Sequence, residues 1–429
     1  MVTRLGLAAL IGVGAQAHGA DLPGDRARLA QIALGKSVFE TRWLPAGAHS
    51  AAGRTGLGPL FNAPSCDTCH AGGERGRGPV GDGLAPVALV IQLESPGRGG
   101  STGVAGDPVY GHVFNTSAVA GIEPEGVVSI EYREVTGYYY PFGGQWSLRT
   151  PHYRFTGLSR GPLSPSTVIK PRLAPALYGV SMLEAVPESA ITLEGGEPPH
   201  GRTAGVVAWQ SRLGERVLGR LGWQDGAVSI RDQAARAFAR EMGLTSAERG
   251  VDDCTPAEAD CRRAVDGAAP EVSADLLDAV VAYLDTLGVP QSAADARQDA
   301  AGAALFRDTG CASCHRPSLP VAAYDAGATG AVTHIAAYTD LRLHDLGADM
   351  ADETVAGEKV TSRWRTAPLW GLEHRLSIDG HPTFLHDGRA RTIEEAILWH
   401  GGEAAYAKRK FEYLGPRARE SLLSWVARR

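Results

Sequence analysis

Four of the six cysteines fall into two copies of one pattern, Cys66-Asp67-Thr68-Cys69-His70 and Cys311-Ala312-Ser313-Cys314-His315, and this pattern constrains the chain more than any other feature of it. Cys-x-x-Cys-His is the attachment motif of c-type haem. Two thiols spaced by two residues can each add to one vinyl group of the same porphyrin, and the adjacent histidine is then held beneath the iron as axial ligand. A structural zinc site would want a second Cys or His pair near each motif, and a thioredoxin-like pair does not need the histidine. Two covalently bound haem c groups are therefore expected, one on Cys66, Cys69 and His70, the other on Cys311, Cys314 and His315.

Attachment of this kind is carried out on the far side of the cytoplasmic membrane, and the N-terminus agrees. Arg4 precedes an apolar run from Leu5 to Gly14, and Ala15-Gln16-Ala17 offers a small-x-small cleavage pattern. Residues 1–20 read as a secretory signal, which predicts a periplasmic protein. No later stretch approaches the roughly 20 apolar residues of a membrane helix, so no membrane span is expected. In an oxidising compartment the remaining pair, Cys254 and Cys261, favours a local disulfide. With 44% hydrophobic and 21% charged residues the chain can bury a core. Its net charge of −6 and the absence of a basic run argue against nucleic acid as a partner.

Each haem motif has similar neighbours. Gly35 and Phe39 precede the first, on a stretch with Leu29, Ile32 and Val38, and Gly302 and Phe306 precede the second at the same spacing. An amphipathic helix closes each half, one carrying Leu276, Leu277, Val280, Val281, Tyr283 and Leu284, the other Leu422, Leu423, Trp425 and Val426. This predicts a mostly α protein with two cytochrome c-like haem domains in tandem, residues 21–288 and 289–429, joined by a linker at Gly288–Asp299. Period-two alternation at Val128, Ile130 and Tyr132, at Trp146 and Leu148, and at Tyr153 and Phe155 predicts strands. They would form a β-rich insertion over about residues 85–205 of the first domain.

Thr392-Ile393-Glu394-Glu395 is a capping box, and the helix after it should run to His400 and stop at Gly401-Gly402. Ile393, Ala396, Ile397 and His400 share one face. His400 is thus either a core histidine or a sixth ligand for the second haem.

Trp223-Gln224-Asp225-Gly226 through Arg240-Glu241-Met242-Gly243, Arg365-Thr366-Ala367-Pro368-Leu369, and Phe384-Leu385-His386-Asp387-Gly388-Arg389 with the His400 helix resemble segments of the dihaem oxidoreductase family, peroxidase-like proteins related to bacterial dihaem cytochrome c peroxidases. The resemblance implies that peroxide reacts at the N-terminal haem and that electrons enter through the C-terminal one. It implies that Trp223 lies between the haems, that Glu241 is the acid–base carboxylate beside the reactive iron, and that His400 stands where peroxidases have a methionine ligand. Imidazole in place of the thioether should lower that haem's potential. The segment before Arg172-Leu173-Ala174-Pro175, where relatives hold a removable distal histidine, has none. His152 and His112 are the nearest alternatives to an open site. Leu173 stands where the family has an Asn that helps to bind calcium, and a leucine side chain has no oxygen to offer.

The expected function is a periplasmic dihaem oxidoreductase that reduces hydrogen peroxide or another small oxidant with electrons from a small periplasmic donor protein. The alternatives are an electron-transfer cytochrome without substrate chemistry, or an oxidase of a partner protein acting through high-valent haem. His344, His374, His381 and His386 are further histidines expected near the second haem.

Overall fold

The computed structural model of the protein describes residues 23–48, 54–96, 105–192, 205–212, 214–224, 226–250, 254–264, 270–291, 300–325, 331–360 and 362–429. The expected secretory signal and most of the expected linker lie outside these residues. None of the described helices is long and apolar enough to cross a membrane.

The fold is mixed, 33% helix and 24% strand, and the expectation of a mostly α protein is corrected. Helices concentrate around the two haem motifs. Strands occur well beyond the segment read as an insertion, for example at Leu319–Asp325, Ala331–Ile335 and Leu343–Asp345. Many of these strands are two or three residues long, too short to leave a period-two signature.

Six helices place the motifs: α1 (Pro23–Glu40), α2 (Ile230–Met242), α3 (Ala274–Leu284), α4 (Ala300–Asp308), α5 (Ile393–Leu398) and α6 (Pro416–Ala427). Helix α1 crosses α3 at Gly35, where an added Cβ would lie 1.8 Å from the carbonyl oxygen of Ala279. One turn on, the Phe39 ring packs 5.3 Å from that of Tyr283. Helix α4 crosses α6 in the same way: a Cβ on Gly302 would lie 2.3 Å from that of Trp425, and the Phe306 ring packs 4.7 Å from the indole. The Gly-x-x-x-Phe spacing is thus a close helix crossing followed by an aromatic contact, made once before each motif.

Nine strands carry the rest of the argument: β1 (Leu89–Glu94), β2 (Val113–Phe114), β3 (Val127–Tyr138), β4 (Gln145–Thr156), β5 (Val168–Leu173), β6 (Leu343–Asp345), β7 (Asp352–Thr354), β8 (Lys359–Val360) and β9 (Arg363–Arg365). The period-two stretches around Val128 and Leu148 form β3 and β4, paired antiparallel over their whole length from Val127↔Thr156 to Tyr138↔Gln145. A five-stranded sheet runs β8-β7-β5-β1-β2, so strands from both sides of position 288 share it. Arg149 on β4 is buried and donates to the carbonyls of Pro79, Val80, Gly388 and Arg389, stapling the hairpin to both halves. Arg172 on β5 makes a two-pronged ion pair with Asp352 on β7, at 2.9 and 2.8 Å. Cys254 and Cys261 form a disulfide.

Candidate functional site

The second motif sits directly after α4. Its histidine, His315, is half-buried, and its Nδ1 lies 2.9 Å from the Tyr338 carbonyl. Thr392 caps α5 by accepting from the Glu395 amide, and His400 follows the helix's last turn, its Nδ1 2.7 Å from the Ala396 carbonyl. Donation to a carbonyl puts the ring proton on Nδ1 in both residues and leaves each Nε2 as a ligand atom. The two ring centroids are 6.5 Å apart. That gap suits one metal ion held by an Nε2 from each side at about 2 Å. Burial pushes the His315 imidazole down to about 4, and the neighbouring His400 adds to this; burial lowers His400 as well. Both rings are therefore neutral, as ligands must be. Cys311 and Cys314 are free thiols.

The first motif is a single turn, Cys66–Cys69, capped by the Ser65 side chain. Cys66 and Cys69 are free thiols rather than a disulfide. His70 is half-buried, and desolvation pushes its imidazole down to about 4. Glu241, in the last turn of α2, faces this motif. Its carboxylate oxygen Oε2 accepts from Asn62 Nδ2 at 3.2 Å, and its backbone carbonyl accepts from the amides of Asn62 and Ala63. Burial, and secondly the charge of Glu241, push the Cys69 thiol up to about 12. A cavity of about 240 Å³ lies alongside, lined by Asn62, Thr116, Leu89, Ile91, Phe114 and Val128 among others. Neither His112 nor His152 lines it. His152 lies on β4 opposite Glu131.

The donor sets fit haem at both places. Each offers two free thiols and a neutral, half-buried histidine, and the second adds His400 opposite His315. Trp223 is half-buried. Its Nε1 donates to the Leu173 carbonyl at 2.7 Å, and the Arg75 guanidinium lies 5.0 Å from its ring. The ring also packs against the apolar cluster that contains Cys311 and Phe306. Leu173 is fully buried, and its carbonyl is taken by this indole.

The other histidines separate. His344 alone of the four adjoins the second motif, 3.7 Å from the Cys314 sulfur. His374 instead pairs with Glu74, just past the first motif, at 2.9 Å. His381 is exposed. His386 is buried between the halves and stacks on Trp364, ring centroids 3.7 Å apart. Asn62 and Asn115 were not legible as site residues: they reach Glu241 and each other across 179 and 53 positions of chain.

Residues 166–428 match the family described as "Di-haem oxidoreductase, putative peroxidase". The match covers more than half of the chain, and the protein belongs to this family of haem-dependent oxidoreductases. No curated protein matches the chain. Among solved structures, a hydrazine synthase of Kuenenia stuttgartiensis, pressurised with xenon, is similar at 14% identity over 61% of this chain and 73% of that one, with a TM-score of 0.32.

Proposed function

We propose that the protein is a periplasmic dihaem c-type oxidoreductase of peroxidase type, which reduces hydrogen peroxide or a similar small oxidant at its N-terminal site. The observation that carries this reading is the asymmetry of the two sites. One sets two histidine rings, His315 and His400, opposite each other with centroids 6.5 Å apart. The other sets a carboxylate, Glu241, and a cavity beside its motif, with no histidine in the cavity lining. The first arrangement suits electron transfer and the second suits a substrate.

Cys66 and Cys69 would hold one haem and Cys311 and Cys314 the other, with His70, His315 and His400 as iron ligands. Bound there, haem supplies the redox chemistry. Reducing peroxide to two waters consumes two electrons and two protons, and proton handling falls to the chain. Glu241 would accept the proton from one peroxide oxygen and return it to the other, the usual work of a positioned carboxylate. Asn62 holds one oxygen of that carboxylate in place. Leu89, Ile91, Phe114 and Val128 give the cavity an apolar wall, with Asn62 and Thr116 as its polar groups. Electrons from a small periplasmic donor protein would enter on the His315/His400 side and pass by way of Trp223.

Electron paramagnetic resonance of the oxidised protein tests the asymmetry, with one low-spin and one high-spin haem expected. Two low-spin signals would instead mark an electron carrier. Glu241→Gln should lower peroxide turnover with a reduced donor by about 10²–10⁴-fold, and unchanged turnover would remove Glu241 from the acid–base role.

A further inference from the structure

We propose that Asp340, His344 and Glu403 form a clasp whose work is to position His400 opposite His315; this rests on the reading of His400 as the sixth ligand of the second haem. His344, on β6, has a partner on each ring nitrogen. Its Nε2 lies 3.0 Å from Asp340 Oδ2 and its Nδ1 2.8 Å from Glu403 Oε2. A neutral imidazole has a single N–H and could donate to only one carboxylate. The ring is therefore held as an imidazolium between two acids. Burial works against that charge, and the Asp340 carboxylate, which accepts from Nε2, favours it. The side chains of His344 and Asp340 are only 5% and 1% exposed, so water competes little for these bonds.

The clasp matters because of where its ends are attached. Glu403 comes three residues after His400, beyond Gly401-Gly402. Glycine pairs order themselves poorly, so this loop must be held from outside. Glu403 does so twice, through the His344 ring and through Oε1, which accepts from the Asp345 amide at 3.2 Å. The seam is tight. A Cβ on Gly402 would lie 2.3 Å from the Asp345 carbonyl oxygen, and one on Gly401 would lie 2.6 Å from that of Leu346. At the other end, His344 Nδ1 is 3.7 Å from the sulfur of Cys314, the residue before His315. A Cβ on Gly205 would lie 2.5 Å from the imidazole, so the ring has no room to swing away on that side. The clasp thus ties the loop after His400 to the segment that carries His315. Cys314, Asp340 and His344 also have ligand atoms within 4.8 Å of one another, but a thioether bond to haem removes the Cys314 thiolate from any separate metal site.

The test is the spin state of the second haem in the full-length, haem-loaded protein, with haem content measured in parallel. In both His344→Gln and Glu403→Gln, at least half of the low-spin signal of that haem should convert to high spin, and added imidazole should restore it. The signal of the first haem should stay as it was. A low-spin signal at wild-type intensity in both variants overturns the clasp. Should His344→Gln fail to mature with two haems, Glu403→Gln decides by the same criterion, because it keeps the size of the side chain and does not touch Cys314. His400→Gly separates the two readings. If that variant keeps the low-spin signal, His400 is not the ligand and the clasp falls with it. If it alone loses the signal, the ligand stands and only the clasp is wrong.

Discussion

Asn62 shows how one amide can decide where a carboxylate points. Its Oδ1 accepts from both the amide and the hydroxyl of Thr116, at 3.1 and 3.3 Å. This leaves Nδ2 to face Glu241 Oε2. Asn115 stands behind it, 3.5 Å away, and is itself gripped by Glu125, which accepts from its amide at 2.6 Å and from its Nδ2 at 3.2 Å. Glu125 is fully buried beside Glu258 on the disulfide loop. Burial holds its carboxyl well above the usual range, and the charge of Glu258 adds to this. Replacing Asn62 by Leu keeps the bulk and removes the donor to Glu241. A hydrogen bond to a charged group contributes about 1.5–3 kcal/mol. Asn62→Leu should accordingly lower kcat for peroxide by roughly ten- to a hundred-fold, with the KM for the electron donor unchanged. A loss that appears only in the donor's KM would show that Asn62 does not act through Glu241. Nothing in the sequence marks this chain of contacts, because hydrogen bonding across 179 positions leaves no local pattern. Glu241 itself was legible only through family resemblance.

At the scale of elements, the two helix crossings were the most readable part of the fold, because their signal is local. Gly35 with Phe39 and Gly302 with Phe306 lie within single helices, and α3 and α6 show their apolar faces by spacing alone. The same locality explains what was missed. Strand β6 pairs with β9 over three residues, Leu343↔Arg365 to Asp345↔Arg363, and no alternation can be read in so short a run. Weighting the readable helices over the unreadable strands is what made the protein look mostly α. The crossings also yield a stability prediction. Gly302→Ala would place a methyl group 2.3 Å from the Trp425 Cβ, and overpacking of this kind costs about 1–3 kcal/mol. Gly288→Ala meets nothing within 4 Å and should leave stability within about 1 kcal/mol of the parent. Urea denaturation of the two variants side by side checks this, and equal midpoints would mean that α4 and α6 can move apart at little cost.

At the scale of the whole molecule, the two halves meet across a buried polar seam: Arg172 pairs with Asp352, Tyr153 donates to Asp387, and the Leu173 amide donates to the His386 carbonyl, with the Asp387–Arg389 pair and the His386–Trp364 stack on the C-terminal side of it. The seam sets how the protein should respond to acid. Burial pushes His386 from 6.5 down to about 3, so in the folded chain it stays neutral where an unfolded chain would protonate it. A depressed histidine contributes stability in full above pH 6.5 and loses it as pH falls towards 3, by about 1.4 kcal/mol per pH unit. Asp387 responds later. Burial alone would raise it, but the Arg389 charge outweighs burial and holds it at about 2 against 3.8, so its contribution disappears only between those values. Between pH 7 and pH 5 the carboxylates of the seam are silent and His386 is not. His386→Leu removes the titrating group and keeps the site apolar. The stability lost by the parent from pH 7 to pH 5 should exceed that lost by the variant by about 2 kcal/mol, which is 1.4 kcal/mol over the 1.5 units below pH 6.5. Taking the difference between pH values cancels the stacking energy lost in the variant, so the comparison isolates the proton. Equal losses in the two proteins would mean that His386 meets solvent or a partner in the folded state, and that the seam opens far more easily than its packing implies.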